Sequence, residues 1–388
     1  MPRHVILDFL LRKNKELNLY SHVWGHGAVR SISEFVNAIQ LNVDSVEPPA
    51  YPIITKQGNF NYSYHTTFYG LYQANHFAPQ VDSKKSSDLE LNYYKNLQVC
   101  NWGGYCLILH EGKLVSQLSS VYAPLSLLSE LSFHGIKSSH IDQAYLIADD
   151  SDPNNYCHFV LDYLSQLYFL TNVDYYPTII FLENQCNKFQ SFFYKKIESL
   201  GYEIKFLKEG ESVEIEKLYM LNAQTRFTHP AYGANPSVLK FLRTYVPLTS
   251  SPNTREVLWV SRRDRRRLTD EETIIKELAK QYQVTITDLD GLTPYEQAEL
   301  FDTHRIIIGV HGAAFTNLAF TNSQQKCVVE LFARGNGTPS FAILCDSLGY
   351  PHFSIIGDLI ETKHANYPDL IIDCEELMKL LSNFHRKS

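Results

Sequence analysis

Ile306-Ile307-Ile308-Gly309-Val310-His311-Gly312-Ala313-Ala314-Phe315-Thr316-Asn317-Leu318 reads as a buried strand ending at Gly309, a turn of small residues, and the start of a short helix. In an open α/β sheet, ligands sit beyond the carboxyl ends of the strands. Gly312 and Ala313 leave room for backbone N–H groups to approach a phosphate, and a helix N-terminus adds positive potential. His311 is placed to donate to the same group. The plainer alternative is a tight strand–helix turn with no ligand.

Outward from this stretch, strands and helices alternate. Val257–Val260, Val284–Thr287, Arg305–Gly309, Cys327–Phe332 and Phe353–Ile356 read as strands, the last of them closing the set. Between them, Thr269/Glu272 and Thr293/Glu296 form capping boxes, the second with Pro294 at the first helical position. Thr338–Leu348 is a helix stopped by Gly349, and Asp373 with Glu376 caps a final one. Upstream the same rhythm begins near Gln143, with strands at Ala144–Ala148, Thr178–Leu182 and Glu203–Leu207. The intervening helices are Asn155–Leu170, Lys188–Leu200 and Pro236–Tyr245, the last capped by Asn235. Such alternation predicts parallel sheets with helices on both faces. Residues 247–255, rich in Pro, Ser, Thr and Asn, read as a linker. The expected architecture is therefore α/β, with two doubly wound, Rossmann-like domains facing a cleft. One spans 1–246, its α/β core starting near 143, and the other 247–388. Residues 1–140 are less legible; a β-hairpin around Glu111-Gly112 is their clearest feature.

The chain's 388 residues exceed one ordinary core, which suits two domains. Its net charge of −7 argues against a nucleic-acid binder. Seven cysteines, an odd number without a C-x-x-C pair, fit reduced thiols better than a disulfide framework or a zinc site. With no apolar run of about 20 residues, the expectation is a cytoplasmic protein.

Further residues carry candidate chemistry. Ser261-Arg262-Arg263-Asp264-Arg265-Arg266-Arg267 places five arginines just after a strand, where one or two would grip a small anionic ligand and the rest lie on the surface. Glu330, late in an apolar strand, needs a partner, either a ribose diol or a salt bridge. His158 and Asp162 share a helix face, so the imidazole can take a proton while the carboxylate orients it; a core histidine is the alternative. Asp150/Asp152 and Asp288/Asp290 have spacing that some metal sites use, but such residues also populate turns. The arginines and the helix N-terminus can neutralise a diphosphate without a cation, so no metal and no cofactor is expected. His22 and His26 lack an evident third ligand for zinc.

Taken in order, Ser261-Arg262, Arg266-Arg267, Gln297, Gly309, His311-Gly312-Ala313, Thr316-Asn317-Leu318 and Glu330-Leu331 resemble the signature of glycosyltransferase family 61. Asn155–Asp162 resembles an upstream element of that family, and the likeness covers roughly residues 143–335. The chain departs at Asp270-Glu271, where the family pattern has Asn-Glu. The resemblance implies a GT-B-like fold and an inverting, metal-independent transfer from a nucleotide-sugar, UDP-linked, to an oligosaccharide or lipid-linked glycan. A bacterial or viral enzyme of surface (capsular) polysaccharide synthesis fits, with peripheral contact at the inner membrane face. His158 and Asp162 would then be catalytic. Ser261, Arg262, Arg266, Arg267, His311, Gly312, Ala313, Thr316 and Asn317 would hold the donor, and Glu330 the ribose. Competing readings are a pyruvyl-type transferase modifying polysaccharide, whose donor has no ribose, and an inactive nucleotide-sugar or glycan-binding module.

Overall fold

The computed structural model describes residues 51–57, 67–69, 89–102, 105–111, 113–115, 138–147, 153–172, 176–182, 187–208, 210–221, 234–249, 255–322, 326–334, 338–360 and 369–385. Asp150, Asp152, His22 and His26 lie outside them. In the N-terminal half the strands are β1 (Tyr51–Gln57), β2 (Thr67–Tyr69), β3 (Leu89–Trp102), β4 (Tyr105–His110), β5 (Lys113–Leu114), β6 (Ser138–Ile147), β7 (Thr178–Leu182), β8 (Ile204–Leu207) and β9 (Ser212–Leu221). The C-terminal half adds β10 (Arg255–Val260), β11 (Val284–Thr287), β12 (His304–Val310), β13 (Cys327–Ala333), β14 (His352–Ile360) and β15 (Asp369–Ile371).

The first sheet runs β5-β4-β3-β9-β6-β7-β8, with β1 on β3. It is mixed. Only β9, β6, β7 and β8 are mutually parallel, while β1, β3, β4 and β5 join antiparallel. The expected hairpin is β4–β5, in register Leu109↔Leu114, and Glu111 takes a positive φ of 49° in its loop. Half of this sheet is therefore not doubly wound. The long strands β3 and β9, absent from the sequence reading, form the antiparallel seam between the two parts.

The second sheet runs β11-β10-β12-β13-β14-β15, all parallel except β15. The chain steps from β10 out to β11, then returns to lay β12 on the other flank of β10. Strand order thus reverses between β10 and β12, the position at which doubly wound sheets open a crevice. β14 is not the last strand, because Asp369–Ile371 pairs with it; β2, from the N-terminal half, also joins β14.

Helix ends largely follow their caps. Thr293 and Glu296 close a capping box on Pro294–Thr303, and Asn187 with Gln190 closes another on Lys188–Ser199. The Thr269 box does not form. Its hydroxyl donates to Leu370 O instead, and Asp270 is the residue before Glu271–Leu278. Docking of β15 takes the capping group away. Gly201 and Gly349, at φ 93° and 70°, end their helices in left-handed backbone that glycine adopts without strain. One apolar core joins the two sheets: Phe159, Phe193 and Leu221 share a cluster with Leu258, Ile307 and Phe320.

Candidate functional site

β10 and β12 pair in parallel with Val260 beside Gly309, so their carboxyl ends emerge together. A side chain at Gly309 would press against Val260, and glycine keeps the two strands close. Just past these ends Arg262 donates from Nη1 to His311 O at 2.8 Å, across 49 residues of sequence. The guanidinium fills the space that a Cβ at Gly312 would occupy. Ser261 is buried beside it, and its hydroxyl has no hydrogen-bond partner among the described residues. The helix Ala313–Phe320 starts here, and its first amides lack intrahelical acceptors by construction. Ser261, Arg262, His311, Gly312 and Ala313 are thereby gathered at one point, with hydrogen-bond donors in excess.

Three of the remaining arginines face carboxylates. Arg267 forms a two-pronged pair with Asp369 through Nε and Nη2, at 3.1 and 2.8 Å. Arg263 lies near Glu271 and Asp288, and Arg265 near Asp264. Arg266 holds a positive φ of 56° in the turn. Thr316 and Asn317 are fully buried. Asn317 accepts from Tyr156 OH at 3.0 Å and donates to Gln297 Oε1 at 3.2 Å and Ala314 O at 2.9 Å. It pins the upstream helix to the turn after β12.

That upstream helix is irregular. Tyr156–His158 is a single α turn, Phe159–Tyr163 is π-helical, and Leu164–Asn172 tightens to 3-10 geometry. Asn155 caps it by accepting from Cys157 N. Single π turns recur at functional sites because they re-aim one residue. Here the π turn carries Asp162, whose Oδ2 lies 2.6 Å from His158 Nδ1. This pair is open to solvent: the His158 side chain keeps 38% of its surface and Asp162 17%. Between the two halves sits the Cys157 thiol. Burial pushes it up to about 12, and the carboxylates of Asp162 and Glu330 push the same way. The His158 helix and the β13 carboxylate therefore share one neighbourhood.

Glu330 has no exposed surface. Its Oε1 is 2.5 Å from His311 Nδ1 and its Oε2 3.1 Å from His352 Nε2, so both oxygens are engaged by protein. Sequence reasoning missed His352, whose only signal is a polar residue opening an apolar strand, and the tether made by Tyr156. Asp288 accepts from Asp290 N, and so serves its own turn. Among the described residues, His140, Asp142 and Glu216 come close enough to share a cation, on an exposed face of the first sheet. No described helix is long and apolar enough to cross a membrane.

Residues 156–329 match the family model described as Glycosyltransferase 61. No curated protein matches the chain. The matched stretch begins at Tyr156 and ends one residue before Glu330, so it contains both the His158–Asp162 pair and the turn after β12.

Proposed function

As a glycosyltransferase of family 61 over residues 156–329, this chain, we propose, moves a sugar from a nucleoside-diphosphate donor to a glycan acceptor with inversion and without a metal. The observation that carries this reading is the convergence of Ser261, Arg262, His311 and the amides of Gly312 and Ala313 just past the adjoining ends of β10 and β12. A leaving diphosphate gathers negative charge there, and fixed donors stabilise it without reorganising. The C-terminal half, 247–388, holds the nucleotide in this GT-B-like reading, with UDP as its diphosphate. The N-terminal half, 1–246, presents the acceptor.

His158 accepts the proton of the acceptor hydroxyl and Asp162 orients the imidazole. The acceptor oxygen then attacks the anomeric carbon from the face opposite the diphosphate, whose bond to that carbon breaks. Arg267 and Asn317 contribute by holding Asp369 and Tyr156, which fixes the turns that carry the donor site. Four buried thiols among the described residues, Cys100, Cys106, Cys327 and Cys345, suit a reducing cytoplasm, and surface polysaccharide synthesis is the role proposed there. Donor turnover measured with and without EDTA tests the metal-independent reading. Activity should persist in chelator, and loss with rescue by Mn²⁺ would sink it.

A further inference from the structure

An ionised carboxylate with no solvent contact is costly unless its lone pairs are used. At Glu330 burial alone would raise the pKa, but His311 and His352 outweigh it and hold the carboxyl below its usual range. It is therefore ionised at neutral pH, and an ionised carboxylate only accepts hydrogen bonds. Both nitrogens facing it must carry protons: Nδ1 of His311 and Nε2 of His352. The His311 ring is also clamped by aromatics. Phe332 stacks on it with centroids 5.0 Å apart and planes at 25°, and Phe341 leans in at 5.7 Å. Its remaining nitrogen, Nε2, makes no hydrogen bond to the described residues, and 14% of the side chain stays exposed.

We propose that Glu330 and His352 are positioning residues that lock His311 with Nδ1–H inward and Nε2 presented to the donor's diphosphate. This rests on the donor site proposed above. With Nδ1–H turned inward, Nε2 is the ring atom left to meet a phosphate oxygen, and it meets one as an N–H donor. The buried Glu330 charge compensates the imidazolium that results. Other charged or titratable groups near the ring and its carboxylate are Arg262 from the turn after β10 and His352 from β14. The Cys157 and Cys345 thiols, both raised by burial, stay neutral.

The test uses the full chain, with UDP titrated calorimetrically. Ring ¹⁵N shifts of the ligand-free protein are read by NMR alongside. The wild type should bind UDP and show a proton on Nδ1 of His311. His352→Leu and Glu330→Gln should weaken UDP by about tenfold or more. His352→Gln should restore the affinity, since its amide N–H can reach the place of Nε2–H. Wild-type affinity left unchanged in folded His352→Leu overturns the proposal. So does an Nδ1 without a proton on ligand-free His311, a readout that survives any variant's failure to fold. If UDP does not bind wild type at all, the donor-site reading falls, and the NMR result still decides the positioning.

Discussion

Two of the histidine–carboxylate pairs among the described residues differ in nearly every physical respect. His158–Asp162 is made within one helix, at i and i+4, and lies open to water. His311–Glu330 is made across two strands of a sheet, and its carboxylate is sealed from solvent and shared with a third residue, His352. An open pair can exchange protons with substrate and solvent, which suits a base. A sealed pair holds its ring fixed, which suits binding of charge. On the function proposed above, the same two residue types serve different ends, and burial sets the difference.

The comparison breaks first at the open pair. His158→Ala should lower kcat by about 10²–10⁴, the usual scale of general-base loss, with donor affinity nearly unchanged. Loss of thermal stability with kcat retained would instead make His158 structural. Asp162→Asn should cost less, since it disturbs the orientation of the imidazole and leaves the ring in place.

On the sealed side, removing Arg262 takes away a charge-assisted donor and the brace on His311 O. Arg262→Ala should weaken UDP binding by about 1.5–3 kcal/mol, roughly 10- to 150-fold, read by calorimetry. Equal affinity in a folded variant would remove the crevice from consideration. Gly312→Ala sharpens the same point more gently. Its methyl would displace the end of the Arg262 side chain, and affinity should fall by less than in Arg262→Ala while the fold survives.

The smallest effect concerns a third histidine outside both pairs. His304 is buried at the opposite end of β12, and burial pushes its pKa down to about 4. The unfolded chain takes up the proton near 6.5, the folded one only near 4. This residue's contribution to stability is therefore full above about pH 6.5 and is lost as the pH falls towards 4. Urea midpoints should decline across that window, and His304→Gln should flatten the decline.

The C-terminal sheet was legible because its inner strands are short, apolar at their centres and set off by helix-capping signals, as His304–Val310 and the Thr293 box show. The first sheet was not. β3 reads Leu-Glu-Leu-Asn-Tyr-Tyr-Lys-Asn, with polar residues throughout, and its burial comes from partners on both edges, of which β4 follows it directly but β9 lies far along the chain. β9 mixes alternation with an apolar end, and no capped helix sets it off from its neighbours. At the site, i and i+4 spacing revealed His158 with Asp162. The partner of His311 lay nineteen residues away on another strand, and only the parallel register of β12 and β13 brings the two together. Which arginine faces the crevice depended on where Asp369, Asp264 and Glu271 fall, and no local pattern records that.

Phe193, from a helix beside the first sheet, stacks on Phe320 of the short helix after β12, with centroids 5.9 Å apart. Both are fully buried, in a cluster that draws on each sheet. Prising the halves apart would wet such rings at roughly 2–3 kcal/mol apiece. The jaw is thus welded at its root. Dyes placed on the two halves should report one separation through the whole catalytic cycle.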